Sequence, residues 1–153
     1  VGEIEAKLET LGHRLPAVPE PAGAYIPAVR TGNHVYTSGQ VPFEDGELAS
    51  SGKVGAEVSL EEARAAARTC VLNALAAIRA ELGSLDRVAR IVKLTVFVAS
   101  AEGFNDQARV ANGASELLGE IFGERGAHAR SAVGVFELPL GAPVEVEVIA
   151  EIG

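Results

Sequence analysis

The chain has 153 residues, 48% hydrophobic and 22% charged, enough apolar material for one compact domain and short for two. Its 21 acids against 13 Lys and Arg give a formal net charge of −8, which disfavours nucleic-acid binding, a function built on basic patches. No apolar run approaches the ~20 residues of a membrane span, and Val1 to Glu9 lack the basic-then-apolar order of a signal peptide, so a cytoplasmic address is expected.

In chain order, Ile4, Leu8, Leu11 and Leu15 form the stripe of a short amphipathic helix. Pro16, Pro19, Pro21 and Pro27 then mark an extended connector, so residues 1–20 are expected to be an extension to a single domain over 21–153. Asn33 to Gln40 is β-prone, with Ala28 to Arg30 placed to pair with it across Thr31-Gly32. Glu44 to Gly55 reads as a loop. Ser59 and Glu62 have capping-box spacing, Gly83 supplies a stop, and Leu60, Ala63, Ala67, Cys70 or Val71, Ala74 and Ile78 define a helical face. Val88 to Val98 predicts a strand, Gly103 to Phe122 a second long helix, and Ala129–Phe136 and Val144–Ile152 two last strands. The order β-β-α-β-α-β-β predicts an α+β layer with helices on one face of a sheet. In the last strand Val144, Val146, Val148, Ala150 and Ile152 point one way, and Glu145, Glu147, Ile149 and Glu151 the other.

Chemistry-bearing residues are few. Cys70, the single cysteine, falls in a helical pattern among apolar neighbours and reads as a packed thiol. His13, His34 and His128 have no metal-ligand spacing, so no metal site is expected. Arg130 stands out among small and apolar neighbours on a buried-looking strand, where a cation needs an anionic partner. A hairpin centred between Leu140 and Gly141 would set Arg130 opposite Glu151 as a cross-strand ion pair. Alternatively its planar fork awaits a substrate carboxylate. His128 reads as a loop histidine that no sequence neighbour orients.

Five stretches in order carry a resemblance: Pro21-Ala22-Gly23-Ala24-Tyr25; Thr37-Ser38-Gly39-Gln40-Val41-Pro42; Val92 to Val98; Ala129-Arg130-Ser131; and Val144 to Ala150. Together they resemble the RidA family (also called YjgF/YER057c/UK114), over essentially Pro21 to Ile152. The resemblance implies a chorismate-mutase-like, ferredoxin-like fold assembled as a homotrimer with sites between subunits. It also implies hydrolytic deamination of 2-imino acids to 2-oxo acids and ammonia, without metal or organic cofactor. Carried over residue by residue, Arg130 matches the arginine that holds the substrate carboxylate, and Glu147 the glutamate that positions the attacking water. Tyr25, Ser38 and Gly39 match the pocket lining. Ala132 stands where many members have a cysteine acting through its backbone carbonyl. The family's helix asparagine falls on Asn112 in one alignment and on Ala108 in another. The N-terminal extension marks a divergent branch.

Each of these residues also has a plain structural reading. Glu147 is one of three alternating acids on a strand, Tyr25 is an amphipathic surface residue, and Ser38-Gly39 is a strand-end turn. The deaminase expectation competes with non-catalytic binding or sensing of small carboxylates by the same arginine. An endoribonuclease activity is less favoured by the acidic balance and the lack of a basic-aromatic groove.

Overall fold

A computed structural model describes residues 2–153. The first helix, α1 (Glu3–Thr10), buries Ile4 and Leu8. Leu11 lies beyond it and is exposed, because Gly12, at φ +83°, and Pro16 turn the chain away before the apolar stripe can continue. Two acids fasten α1 to the domain. Asp86 accepts from the Glu3 and Ile4 amides at 2.9 and 2.8 Å, and Glu5 accepts from the Leu85 amide at 2.8 Å. The first contact satisfies amides that every helix N-terminus leaves unpaired.

Strands β1 (Ala28–Thr31) and β2 (His34–Thr37) form the expected hairpin. Regular pairing of β2 ends at Thr37, and Gln40 rejoins only as an isolated bridge to Val146. The region read as a loop from Glu44 contains a small hairpin, β3 (Phe43–Glu44) with β4 (Glu47–Leu48). Its turn is Asp45-Gly46, both at positive φ, the conformation an Asp-Gly pair favours in a two-residue hairpin.

Helix α2 (Leu60–Leu82) starts with the expected capping box. The Glu62 amide donates to Ser59 Oγ and the Ser59 amide to Glu62 Oε1, both at 3.1 Å, and Gly83 at φ +88° ends the helix. Loss of such a cap typically costs ~1 kcal/mol. Strand β5 (Val88–Ala99) matches its expectation, whereas α3 (Gln107–Phe122) begins four residues after Gly103. The two long helices approach closely at Gly113, where a Cβ would lie 2.4 Å from the Arg64 carbonyl oxygen.

The last strands are β6 (Ala129–Val135) and β7 (Val144–Ile152), and the five-stranded sheet runs β1-β2-β7-β5-β6. Both long helices pack on one face, where Val144, Val146, Val148, Ala150 and Ile152 are buried. This is the expected α+β layer.

One expectation is corrected. No β6–β7 hairpin forms: β6 pairs parallel with β5 after the α3 crossover, and β7 enters antiparallel on the other side of β5. Arg130 therefore sits opposite Leu94, while Glu151 sits opposite His34 and Arg90. Composition explains the swap. The alternation of β7 fills a core at the sheet centre, whereas Ser131 and Gly134 suit β6 to the edge, where four of its seven residues are exposed.

Candidate functional site

The residues singled out from the sequence divide into two groups. The first is built where β6 meets α3. Arg130 is half-buried on the face of the sheet that carries the helices, in register with the buried Leu94 and Val148. Its guanidinium reaches α3: Nη1 donates to Asn112 Oδ1 at 2.8 Å and Ser115 Oγ at 3.1 Å, and Nη2 reaches the Ala108 carbonyl at 3.4 Å. Both alignment candidates for the helix asparagine thus touch the arginine, Asn112 through its side chain and Ala108 through its backbone.

Among the described residues no carboxylate forms an ion pair with Arg130, and its Nε donates to none of them. Both Nη1 protons and one Nη2 proton are taken up by α3, which leaves Nε and the second Nη2 proton without a partner among the described residues as a two-point fork. Ala132, two residues on, shares this face and packs against the core.

The second group surrounds the turn after β2. A hollow of about 330 Å³ is lined by Tyr25, Gly39, Gln40, Phe43, Leu140 and Glu145, among others. Asn73, fully buried on α2, holds its wall by donating to the Val41 and Phe43 carbonyls at 3.2 and 3.1 Å. Ser38 Oγ is already engaged, donating to the Ile26 carbonyl at 2.5 Å, so this side chain braces the turn. The Tyr25 hydroxyl accepts from the Ala22 amide at 3.2 Å. A neighbouring hollow of about 530 Å³ lies under the extension near Arg14 and Val18 and is lined by neither Arg130 nor Glu145.

The acid at the pocket is Glu145, not Glu147. A Cβ on Gly39 would stand 2.8 Å from Glu145 Cδ, so only glycine lets that carboxyl lie against the backbone. Glu145 is half-buried, and its pKa is raised, first by desolvation and then by the negative charge of Glu147. Glu147 is exposed and does not line this hollow. A uniform β2–β7 register, extended from Tyr36 opposite Ile149, would set Ser38 opposite Glu147. The Gln40–Val146 bridge shows a slip of one residue in between, a bulge at the Ser38-Gly39 turn that turns Gly39 to Glu145. Strand alternation treats both acids alike, so this choice became visible only with the register.

The structure does not bring Arg130 and the acids together within one chain. Arg130 faces the helices, whereas Glu145 and Glu147 stand on the opposite face. Sequence reasoning also passed over Ser115 and underrated His128. His128 Nδ1 lies 2.6 Å from the Gly126 carbonyl and Nε2 2.9 Å from Ser115 Oγ, partners that no local spacing announces. Cys70 is buried as expected, with burial pushing its thiol pKa up.

Comparison with known proteins decides the family. The family described as Endoribonuclease L-PSP matches residues 16–152. The chain belongs to this family, the RidA or YjgF family. Protein TCP17 of Trypanosoma cruzi is 47% identical over 99% of this chain and 95% of its own. The crystal structure of Atu1372 from Agrobacterium tumefaciens, a protein of unknown function, is 44% identical with TM-score 0.90, covering 97% of this chain and 91% of that one. The 2-iminobutanoate/2-iminopropanoate deaminase of Dermatophagoides farinae is 33% identical over 90% of this chain and 92% of its own. The α+β architecture of this RidA-family chain is accordingly the chorismate-mutase-like one. Among the described residues no helix is long and apolar enough to cross a membrane.

Proposed function

We propose that this RidA-family protein hydrolyses 2-imino acids to 2-oxo acids and ammonia. One observation carries the reading: a half-buried guanidinium held by neutral acceptors, with Nε and one Nη2 proton unpaired and, among the described residues, no acid to neutralise it. Arg130 takes the substrate carboxylate on its Nε–Nη2 edge. Water adds to the imine carbon, the nitrogen gains protons, and the carbon–nitrogen bond breaks to leave a 2-oxo acid and ammonia. Glu145, with its raised pKa, is the acid–base group that poises this water and moves its proton, the role first expected of Glu147. The Ala132 carbonyl is a second acceptor for the water, and Tyr25 and Gly39 shape the pocket wall.

Because Arg130 and Glu145 occupy opposite faces of the sheet, the complete site takes Arg130 from one chain and Glu145 from another. A homotrimer, the assembly expected from the resemblance, supplies three such sites. Exposed Val29, Tyr36 and Val133 on or beside the open sheet face support an assembly of this kind. No metal or organic cofactor enters the proposed chemistry.

The test is release of ammonia and 2-oxo acid from freshly generated 2-iminopropanoate. Arg130→Ala should lose at least ~100-fold in kcat/KM and lose pyruvate binding, since it removes a two-point charged contact. Full turnover in that variant would reject the reading. Carboxylate sensing is the competing use of the same fork, because Ala132 replaces the family's frequent cysteine. It predicts pyruvate binding with imine hydrolysis at background. The formal net charge of −8 weighs against an RNA substrate.

A further inference from the structure

We propose that Ser115 and His128 are positioning residues that hold the Arg130 guanidinium in its carboxylate-binding orientation. This rests on the carboxylate reading of Arg130 and concerns how that orientation is fixed. A carbonyl oxygen can only accept, so the 2.6 Å contact to Gly126 puts the proton of neutral His128 on Nδ1. Nε2 is then an acceptor, and the hydrogen in its 2.9 Å contact comes from the Ser115 hydroxyl. With that hydrogen directed to the imidazole, a Ser115 lone pair is left for Arg130 Nη1 at 3.1 Å.

The polarity of the chain is set from end to end: Arg130 donates to Ser115, Ser115 to His128, and His128 to Gly126. Gly126 is buried, and a Cβ there would meet the Leu118 carbonyl oxygen at 2.3 Å, so its backbone is pinned against α3. The relay thus ties a flexible side chain to rigid backbone.

Arg130 needs this hold. A guanidinium on an edge strand has four rotatable bonds, this one has no ion pair among the described residues, and its fork is useful only if aimed. Asn112 fixes one Nη1 proton, and the Ser115–His128 pair fixes the other. With both engaged, and Nη2 on the Ala108 carbonyl, rotation that would turn the Nε–Nη2 edge away breaks three hydrogen bonds at once. Arg90, His34 and Glu151 line the hollow beside His128, yet both imidazole nitrogens are committed to Ser115 and Gly126, so the histidine serves the arginine and not that hollow.

The experiment uses the full chain and two readouts, the pyruvate Kd and the steady-state constants with 2-iminopropanoate. Ser115→Ala should raise Kd and KM about 10-fold, the lower range for a lost hydrogen bond to a charged group, with kcat changed less than ~3-fold. His128→Ala should raise both about 3- to 10-fold, and Ser115→Thr, which keeps the hydroxyl, should return Kd to within ~2-fold of the parent. Unchanged Kd and KM in Ser115→Ala and His128→Ala, while Arg130→Ala has lost binding, would overturn the positioning role and leave the carboxylate reading intact. Retained binding in Arg130→Ala would remove both. A nitrogen-15 spectrum of the unmodified protein gives a check that needs no variant: His128 should be the Nδ1–H tautomer, and an Nε2–H tautomer would overturn the relay.

Discussion

Glu145 and Glu147 lie two residues apart on one strand and differ in what surrounds them. Glu145 leans on Gly39 and is partly withdrawn from water, whereas Glu147 stays exposed. Glu145→Gln should therefore lower kcat by roughly 10²–10⁴, the usual contribution of one positioned acid–base group, and Glu147→Gln should lower it less than ~3-fold. The second variant has a distinct signature. Removing the Glu147 charge removes one cause of the raised Glu145 pKa, so the acidic limb of the kcat profile should move to lower pH. A limb that stays in place in Glu147→Gln would separate Glu145 from the titrating group. Gly39 constrains the same spot, since any side chain there would displace the carboxyl.

At the scale of elements, α1, which sequence marks as part of an extension, is docked on the rest of the chain by more than its apolar stripe. Two buried leucine-class side chains and the Asp86 and Glu5 contacts fasten it to the segment that enters β5. The Asp86 pKa is lowered by the amides of Ile4 and Glu3. A carboxylate with a depressed folded pKa contributes its stabilisation fully above the unfolded value of ~3.9 and loses it as pH falls through the folded one. Asp86→Asn should release α1 at neutral pH, seen as faster amide exchange over residues 3–10 with exchange in β5 and β7 unchanged. Uniformly slow exchange over α1 in that variant would assign its docking to Ile4 and Leu8 alone. The wild type should show the same selective release only in acid.

For the whole molecule, the open face of the sheet and the separation of the half-sites point the same way. Exposed apolar side chains at Val133 (44%) and Tyr36 (44%) accompany an arginine and an acid that one chain keeps apart. Light scattering should give three times the 15.8 kDa chain mass. Val133→Glu, which puts a charge on the proposed interface, should yield monomers without deaminase activity. An active Val133→Glu monomer would refute the shared site.

Sequence went far with local matters. The Ser59–Glu62 cap, the Gly83 stop, the alternation of β7 and the burial of Cys70 depend on near neighbours, and their signals survive in a one-dimensional string. The ordered residues from Tyr25 to Ala150 likewise sufficed for the family. Long-range relations were different. Whether β6 paired with β7 or β5 turned on which strand could fill the sheet centre, and loop length alone suggested the wrong partner. The choice of Glu145 over Glu147 turned on a one-residue slip at Gly39. The surroundings of Arg130 turned on α3 folding back to place Asn112 and Ser115 beside it, across 18 and 15 residues of chain. Register, sheet order and crossover are cooperative properties of the packed core, so no single segment encodes them.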